Sequence, residues 1–191
     1  RIELARLSDQ VFAEAGVGDY LVRAWRLRWE KHLDAYIDWA LERATAGFRW
    51  SASEAVFERP LPLGEGRSLN LYGRIDRIDT GPDGLAVVDY KTQGLTPLRT
   101  KLKWPGEDVQ LPFYGLLSGA AHAEFVSLDD KRVDGVRLDD LTEAMATEEL
   151  RLTTTFDALA AGAGLPATGA PGTCQWCEMH GLCRLEHHAS E

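Results

Sequence analysis

The chain has 191 residues, 45% hydrophobic and 27% charged, which suits one soluble globular domain with a proper core. Its formal net charge of −9 argues against a protein that holds nucleic acid by general basicity alone. No apolar run approaches the roughly 20 residues of a membrane-spanning helix, and no signal-peptide pattern opens the chain, so a cytoplasmic protein without membrane contact is expected.

In chain order, Ile2 to Ala15 predicts a helix stopped by Gly16 and Gly18. Tyr20 to Ala46 predicts a long helix ended by Gly47. It carries Trp25, Trp29, Leu33, Tyr36, Ile37 and Trp39 to Leu41, whose largely helical spacing marks core rather than a base-stacking platform. Strands are expected near 53–62, 69–79 and 84–91, and a helix near 107–118. Short strands near 122–128 and 132–137 follow, then a helix from Leu138 to Ala161 with Asp139 or Asp140 at its start. A Gly/Pro/Ala linker, 162–172, leads to a cysteine-rich end. Helices, then a strand meander, then helix, strand and helix predict an α/β fold with a central mixed sheet flanked by helices. The expected domain is single, 1–191: a helical part to residue 50, a catalytic sheet over 51–137, and a C-terminal part over 138–191.

The chemistry concentrates in Gly73-Arg74-Ile75-Asp76-Arg77-Ile78-Asp79 and Val87-Val88-Asp89-Tyr90-Lys91-Thr92, separated by the turn signal Thr80-Gly81-Pro82-Asp83-Gly84. Strand alternation puts Asp89 and Lys91 on one face and Tyr90 on the other. If Gly81 to Gly84 form a four-residue loop, Thr80 pairs with Leu85 and Asp76 lies across from Asp89. Such neighbours have Cβ atoms roughly 5 Å apart, and two facing carboxylates call for a cation between them. Hard oxygen donors suit Mg²⁺ or Mn²⁺, with the Tyr90 backbone carbonyl as a further ligand. Lys91 is placed to orient a water or to offset charge on phosphate. This is equipment for phosphodiester hydrolysis. The tract Leu85 to Val88 predicts a buried strand, so these charges emerge at its end, as at a site rather than on a solvated hairpin.

Together with Gln110-Leu111-Pro112-Phe113-Tyr114, the pattern G-x-x-D-R-x-D, hydrophobic-D-Y-K-T and Q-L-P-x-Y resembles the RecB/AddB-type nuclease domain of the PD-(D/E)XK superfamily, over roughly Ser53 to Arg184. The resemblance implies a restriction-endonuclease-like core. It implies Asp76 and Asp89 as metal ligands, Lys91 as the catalytic lysine, and Gln110 and Tyr114 on a helix beside the site. Four residues apart, those two share a helix face, though Tyr114 serves equally well in packing. Glu54 matches the family's acidic residue on the preceding strand, and Glu58, on the same face, is its rival. The family's helical histidine has no counterpart here and is expected upstream of Arg1; His32, in the second helix, does not take that role.

The three cysteines, Cys174, Cys177 and Cys183, form C-x₂-C-x₅-C. An odd cluster of this spacing points to metal ligation rather than a disulfide framework. It resembles the iron–sulfur staple of AddB-type nucleases, where an early fourth cysteine completes a [4Fe–4S] site. Here that cysteine is absent, so the fourth ligand lies upstream of residue 1, or His180, His187 or His188 completes a zinc site, or the cysteines stand empty.

Two basic groups could track a phosphate backbone: Arg23, Arg26, Arg28 and Lys31, and Arg99, Lys101 and Lys103 beside Trp104; a solvated face is the plainer meaning of either run. The expected activity is metal-dependent DNA hydrolysis, exonucleolytic, in DNA repair or recombination. The acidic surface fits a module to which a helicase domain or subunit delivers the DNA. The alternative is a nuclease fold that has lost catalysis and serves as a DNA-binding scaffold; the presence of Asp76, Asp89 and Lys91 favours activity.

Overall fold

The computed structural model describes residues 1–14, 19–103, 108–129, 132–164, 174–175 and 177–183. Five strands form one sheet in the order β1-β2-β3-β4-β5: β1 (Arg49–Pro62), β2 (Ser68–Gly81), β3 (Gly84–Lys91), β4 (His122–Ser127) and β5 (Asp134–Arg137). The β3/β4 pair is parallel and the other three pairs are antiparallel, which is the expected mixed sheet. A parallel pair needs a crossover, and α3 (Leu95–Lys103) and α4 (Gln110–Ser118) supply it.

Helices α1 (Ile2–Glu14) and α2 (Asp19–Thr45) precede the sheet, and α5 (Leu141–Ala160) follows it. Asp140 caps α5 through a 2.9 Å hydrogen bond from the Glu143 N–H, as the sequence predicted for this pair of aspartates. Helix α3 was not expected. Pro97 obscures it in sequence, yet it falls in the first turn, where a missing N–H costs nothing.

Alternation along β3 divides the core. Val87 packs with Leu98 of α3, Leu111 of α4 and Leu141 of α5, while Val88 on the other face packs with Trp39 of α2 and Val126. Along α2, Leu33 and Trp39 are buried as expected. Trp25 and Leu41 instead lie exposed, because α2 is long and its apolar positions spread beyond the stripe that meets the sheet.

The β2–β3 hairpin keeps the expected register, with Thr80 opposite Leu85. The turn is tighter than the four residues anticipated: Gly81 pairs with Gly84, leaving Pro82 and Asp83 at the tip. Gly84 adopts φ 131°, which only glycine takes without strain.

A second irregularity lies between β1 and β2. Ser53 pairs with Arg77 and Ala55 with Ile75, so Glu54 and Asp76 are skipped together. Ala52 and Ala55 both pack on the α3–α5 core, as do Ile75 and Ile78. Residues three apart share a face only if alternation resets, and both strands reset at this step. Glu54 takes φ 50° to allow it.

Candidate active site

The β2–β3 ladder runs from Gly81/Gly84 to Arg77/Val88 and stops. The next step would set Asp76 against Asp89. Instead, the Asp76 carboxylate accepts the backbone N–H of Tyr90 at 3.0 Å. Asp89 ends the buried run of β3 and is 2% exposed. Its Oδ1 accepts the Gln110 amide at 2.7 Å, and its Oδ2 lies 2.6 Å from the Lys91 ammonium. Lys91 also donates to Gln110 Oε1 at 2.7 Å. Asp89, Lys91 and Gln110 therefore close a three-membered polar ring. Tyr114 joins it through a 3.1 Å contact between its hydroxyl and Gln110 Nε2.

Helix α4 brings this second half of the site to the sheet. Gln110 and Tyr114 are one turn apart, as the sequence required. The helix approaches β2 closely at Gly73, where a Cβ would meet Leu117 Cδ1 at 2.7 Å and Tyr114 within 3.8 Å. The glycine of the G-x-x-D motif thus serves helix packing.

Burial holds the Asp89 carboxyl above its ordinary range; Lys91 opposes that shift, and the charges of Asp76 and Asp108 add to it. Asp108 was not foreseen. Its Oδ1 accepts the N–H of Gln110 at 3.1 Å, and its Oδ2 lies 3.3 Å from Lys101. An aspartate that accepts the N–H two residues on makes an Asx turn into a helix, and that local signal could have revealed it.

Among the described residues, no three His, Cys, Asp or Glu side chains converge as a metal cage. A magnesium-type site does not need one, since that ion keeps several waters and takes one or two carboxylates. The donors present fit such an ion. Asp89 Oδ2 is buried without a hydrogen-bond partner, its Lys91 contact being an ion pair of poor hydrogen-bond geometry. Asp76, Asp89 and the Tyr90 carbonyl are the groups that would hold the cation.

The remaining motif residues form a separate cluster on the opposite face of the sheet. Arg43 of α2 bridges the carboxylates of Asp79 and Glu124, and all three side chains are buried. Arg77 donates to Asp79 Oδ1 at 2.7 Å and to the Tyr90 hydroxyl at 3.2 Å. Burial works against the Arg77 charge, but Asp79 and Tyr90 together outweigh it and raise the guanidinium above its usual value. Burial and the neighbouring Tyr36 push the Tyr90 phenol up, against the pull of Arg77. Strand alternation turns Tyr90 away from Asp89, and the packing of α2 across the sheet decides that it meets Tyr36 and Arg77 there.

Glu54 lies apart from the ring. It is exposed on the solvent side of β1 and pairs with Arg74 at 3.1 Å. Glu58, opposite Tyr72, is exposed as well. Of the basic groups, Arg26 pairs with Asp9 and Glu30, Arg28 with Asp129, and Lys101 with Asp108, so their charges are partly engaged within the protein. Trp104 lies outside the described residues.

Cys174 is half-buried, and Cys177 and Cys183 are exposed. Cys177 accepts the Met179 N–H at 3.4 Å, and Cys183 ends a short helical turn, α6 (His180–Cys183). His187, His188 and residues 165–173 lie outside the described residues. No helix of the described residues is long and apolar enough to cross a membrane.

No curated protein matches this chain. A solved structure titled "Crystal structure of SSO0001" is similar at 18% identity and a TM-score of 0.46, over 79% of this chain and 67% of that one. Residues 1–184 match the family model of the PD-(D/E)XK nuclease superfamily, and with the mixed sheet and its flanking helices this chain belongs to that superfamily.

Proposed function

We propose that this domain is a metal-dependent deoxyribonuclease that hydrolyses DNA phosphodiester bonds, acting as an exonuclease. The observation that carries the reading is the Asp89–Lys91–Gln110 ring at the open end of β3, with Asp76 one step across the interrupted ladder. Asp76, Asp89 and the Tyr90 carbonyl would hold Mg²⁺ or Mn²⁺, which when bound would supply Lewis-acid stabilisation and a more acidic water.

The chain's own groups divide the remaining work. The Lys91 ammonium sits beside the buried Asp89 oxygen, where it can hold the attacking water or stabilise the phosphoryl charge. Gln110 holds both partners, and the role assigned to it and to Tyr114 is to position the scissile strand. Glu54 contributes to water ordering only on release from Arg74, so its share is small.

The wider role proposed is DNA repair or recombination in the cytoplasm, within a larger helicase–nuclease assembly that delivers the strand. A net charge of −9 supports that division of labour, because the domain has little general attraction for DNA. The C-x₂-C-x₅-C segment is assigned, on the spacing of its cysteines, to a structural [4Fe–4S] or zinc site.

The test is degradation of end-labelled linear DNA with Mg²⁺ or Mn²⁺ by the wild-type chain and by Asp89→Ala. Metal-dependent shortening that disappears in the variant is expected. Persistence of hydrolysis in Asp89→Ala would remove the site from β3.

A further inference from the structure

We propose that Tyr36 and Arg77, acting through Tyr90 from the far face of the sheet, are positioning residues for Asp89 and Lys91, a role that rests on the nuclease reading above. The reason begins with the break in the β2–β3 ladder. Beyond Arg77/Val88, β3 has no paired residue on its β2 side, and one hydrogen bond from Tyr90 N–H to Asp76 stands in for the ladder. On its other side β3 remains paired, with Asp89 opposite Phe125, Tyr90 opposite Val126 and Lys91 opposite Ser127. A strand held along one edge can still rotate about its own axis.

That rotation couples the two faces. Asp89 and Lys91 project to one side and Tyr90 to the other, so any roll of the strand moves all three side chains together. The Tyr90 hydroxyl is fixed at 3.2 Å from the Tyr36 hydroxyl and 3.2 Å from Arg77 Nη1. Arg77 is itself fixed. Its Nε donates to the fully buried Asp79 at 2.7 Å, and its guanidinium lies 5.2 Å from the centre of the Trp39 ring. Tyr36 and Trp39 both sit on α2, with ring centres 5.6 Å apart. Tyr36 of α2 and Arg77 of β2 thus grip the Tyr90 hydroxyl through two polar contacts, beside the Tyr36 and Trp39 rings, on the face opposite the reacting groups.

Packing alone does not require this arrangement. An apolar cluster of similar volume would fill the space without desolvating a guanidinium and two phenols. What the polar contacts add is direction, because hydrogen bonds fix a rotational setting and dispersion contacts do not.

Tyr36→Phe and Tyr90→Phe remove the hydroxyls and keep the rings. Asp157→Ala serves as the control, since Asp157 holds the Gly64 N–H and Arg67 at the far end of α5 and touches no residue of the site. Expected for both phenylalanine variants is a kcat lowered by roughly ten-fold with KM little changed, and Mn²⁺ binding without DNA, measured by calorimetry, weakened several-fold. Asp157→Ala should also lower the melting temperature and leave kcat and Mn²⁺ affinity at wild-type values. Wild-type kcat and Mn²⁺ affinity in both phenylalanine variants would overturn the positioning role while leaving the nuclease reading intact. If instead Asp89→Ala keeps hydrolysing DNA, the placement of the nuclease site on β3 fails, and the Mn²⁺ isotherms still decide the positioning role. A wild-type chain that binds no Mn²⁺ would overturn both.

Discussion

The Asp76 carboxylate accepts the backbone N–H of Tyr90 at 3.0 Å, at the step where the β2–β3 ladder ends. One catalytic candidate thereby fixes the backbone between the other two, Asp89 and Lys91. Tyr90 thus has its N–H satisfied by Asp76, and its carbonyl, in the following peptide unit, would be offered to a bound cation. In the proposed site, metal binding, backbone order and lysine placement would be coupled through the one residue between Asp89 and Lys91.

Divalent ions should therefore stabilise the fold through the site. A ligand present at 100 times its dissociation constant adds about 2.7 kcal/mol. Mg²⁺ or Mn²⁺ should raise the melting temperature of the wild-type chain, and Asp89→Asn should abolish that rise. Thermal melts with the ion and with a chelator check this.

Without metal, Asp89 should weigh against the fold at neutral pH. Its folded-state pKa is raised, chiefly by burial, with the charges of Asp76 and Asp108 adding to it. Through the carboxylate range the folded state then binds more protons than the unfolded state, and the stability contributed by this group falls as pH rises. In chelator, Asp89→Asn should melt above the wild type at pH 7, and the difference should shrink as the pH is lowered into the carboxylate range. A difference that grows on acidification would show the opposite shift.

Gly73→Ala should damage the site from outside it. The new Cβ would lie 2.7 Å from Leu117 Cδ1, in the packed seam between β2 and α4. Overpacking of this kind costs about 1–3 kcal/mol. Because α4 carries Gln110 and Tyr114, nuclease activity should fall even at temperatures where the variant is fully folded. Denaturant unfolding and a DNA digestion assay on the same sample separate the two effects.

Arg43→Met should be the most destabilising of these changes. Arg43 is 7% exposed and bridges Asp79 and Glu124, both buried. Removing it strands Glu124 and leaves Asp79 with Arg77 alone, and breaking a buried pair this way costs about 3–5 kcal/mol. Urea denaturation should show the loss, and Glu124→Gln should show a smaller one.

Glu54→Gln should leave stability nearly unchanged, since an exposed pair such as Glu54–Arg74 contributes roughly 0–1 kcal/mol. Its effect on hydrolysis should stay far below that of Asp89→Ala. Steady-state rates of the two variants on one DNA substrate make the comparison, and equal losses would place Glu54 at the reacting centre.

Local rules account for what the chain alone determined. The turn residues Gly81 to Gly84 set the β2–β3 register, the apolar run Leu85 to Val88 marked a buried strand, and strict alternation put Asp89 and Lys91 on one face and Tyr90 on the other. Gln110 and Tyr114 follow from helical periodicity, and membership of the superfamily from the combined motif. Each depends on residues close in sequence, where backbone geometry leaves few choices. The tertiary structure decided the rest. It skipped Glu54 and Asp76 together, turned Glu54 to Arg74, and brought Gln110 of α4 up to Asp89 and Lys91. It also gathered Tyr36, Arg43, Arg77, Asp79, Tyr90 and Glu124 behind the site. These contacts join α2, β2, β3 and β4, separated by tens of residues, and no local periodicity encodes a hydrogen bond that forms only when a helix packs across a finished sheet.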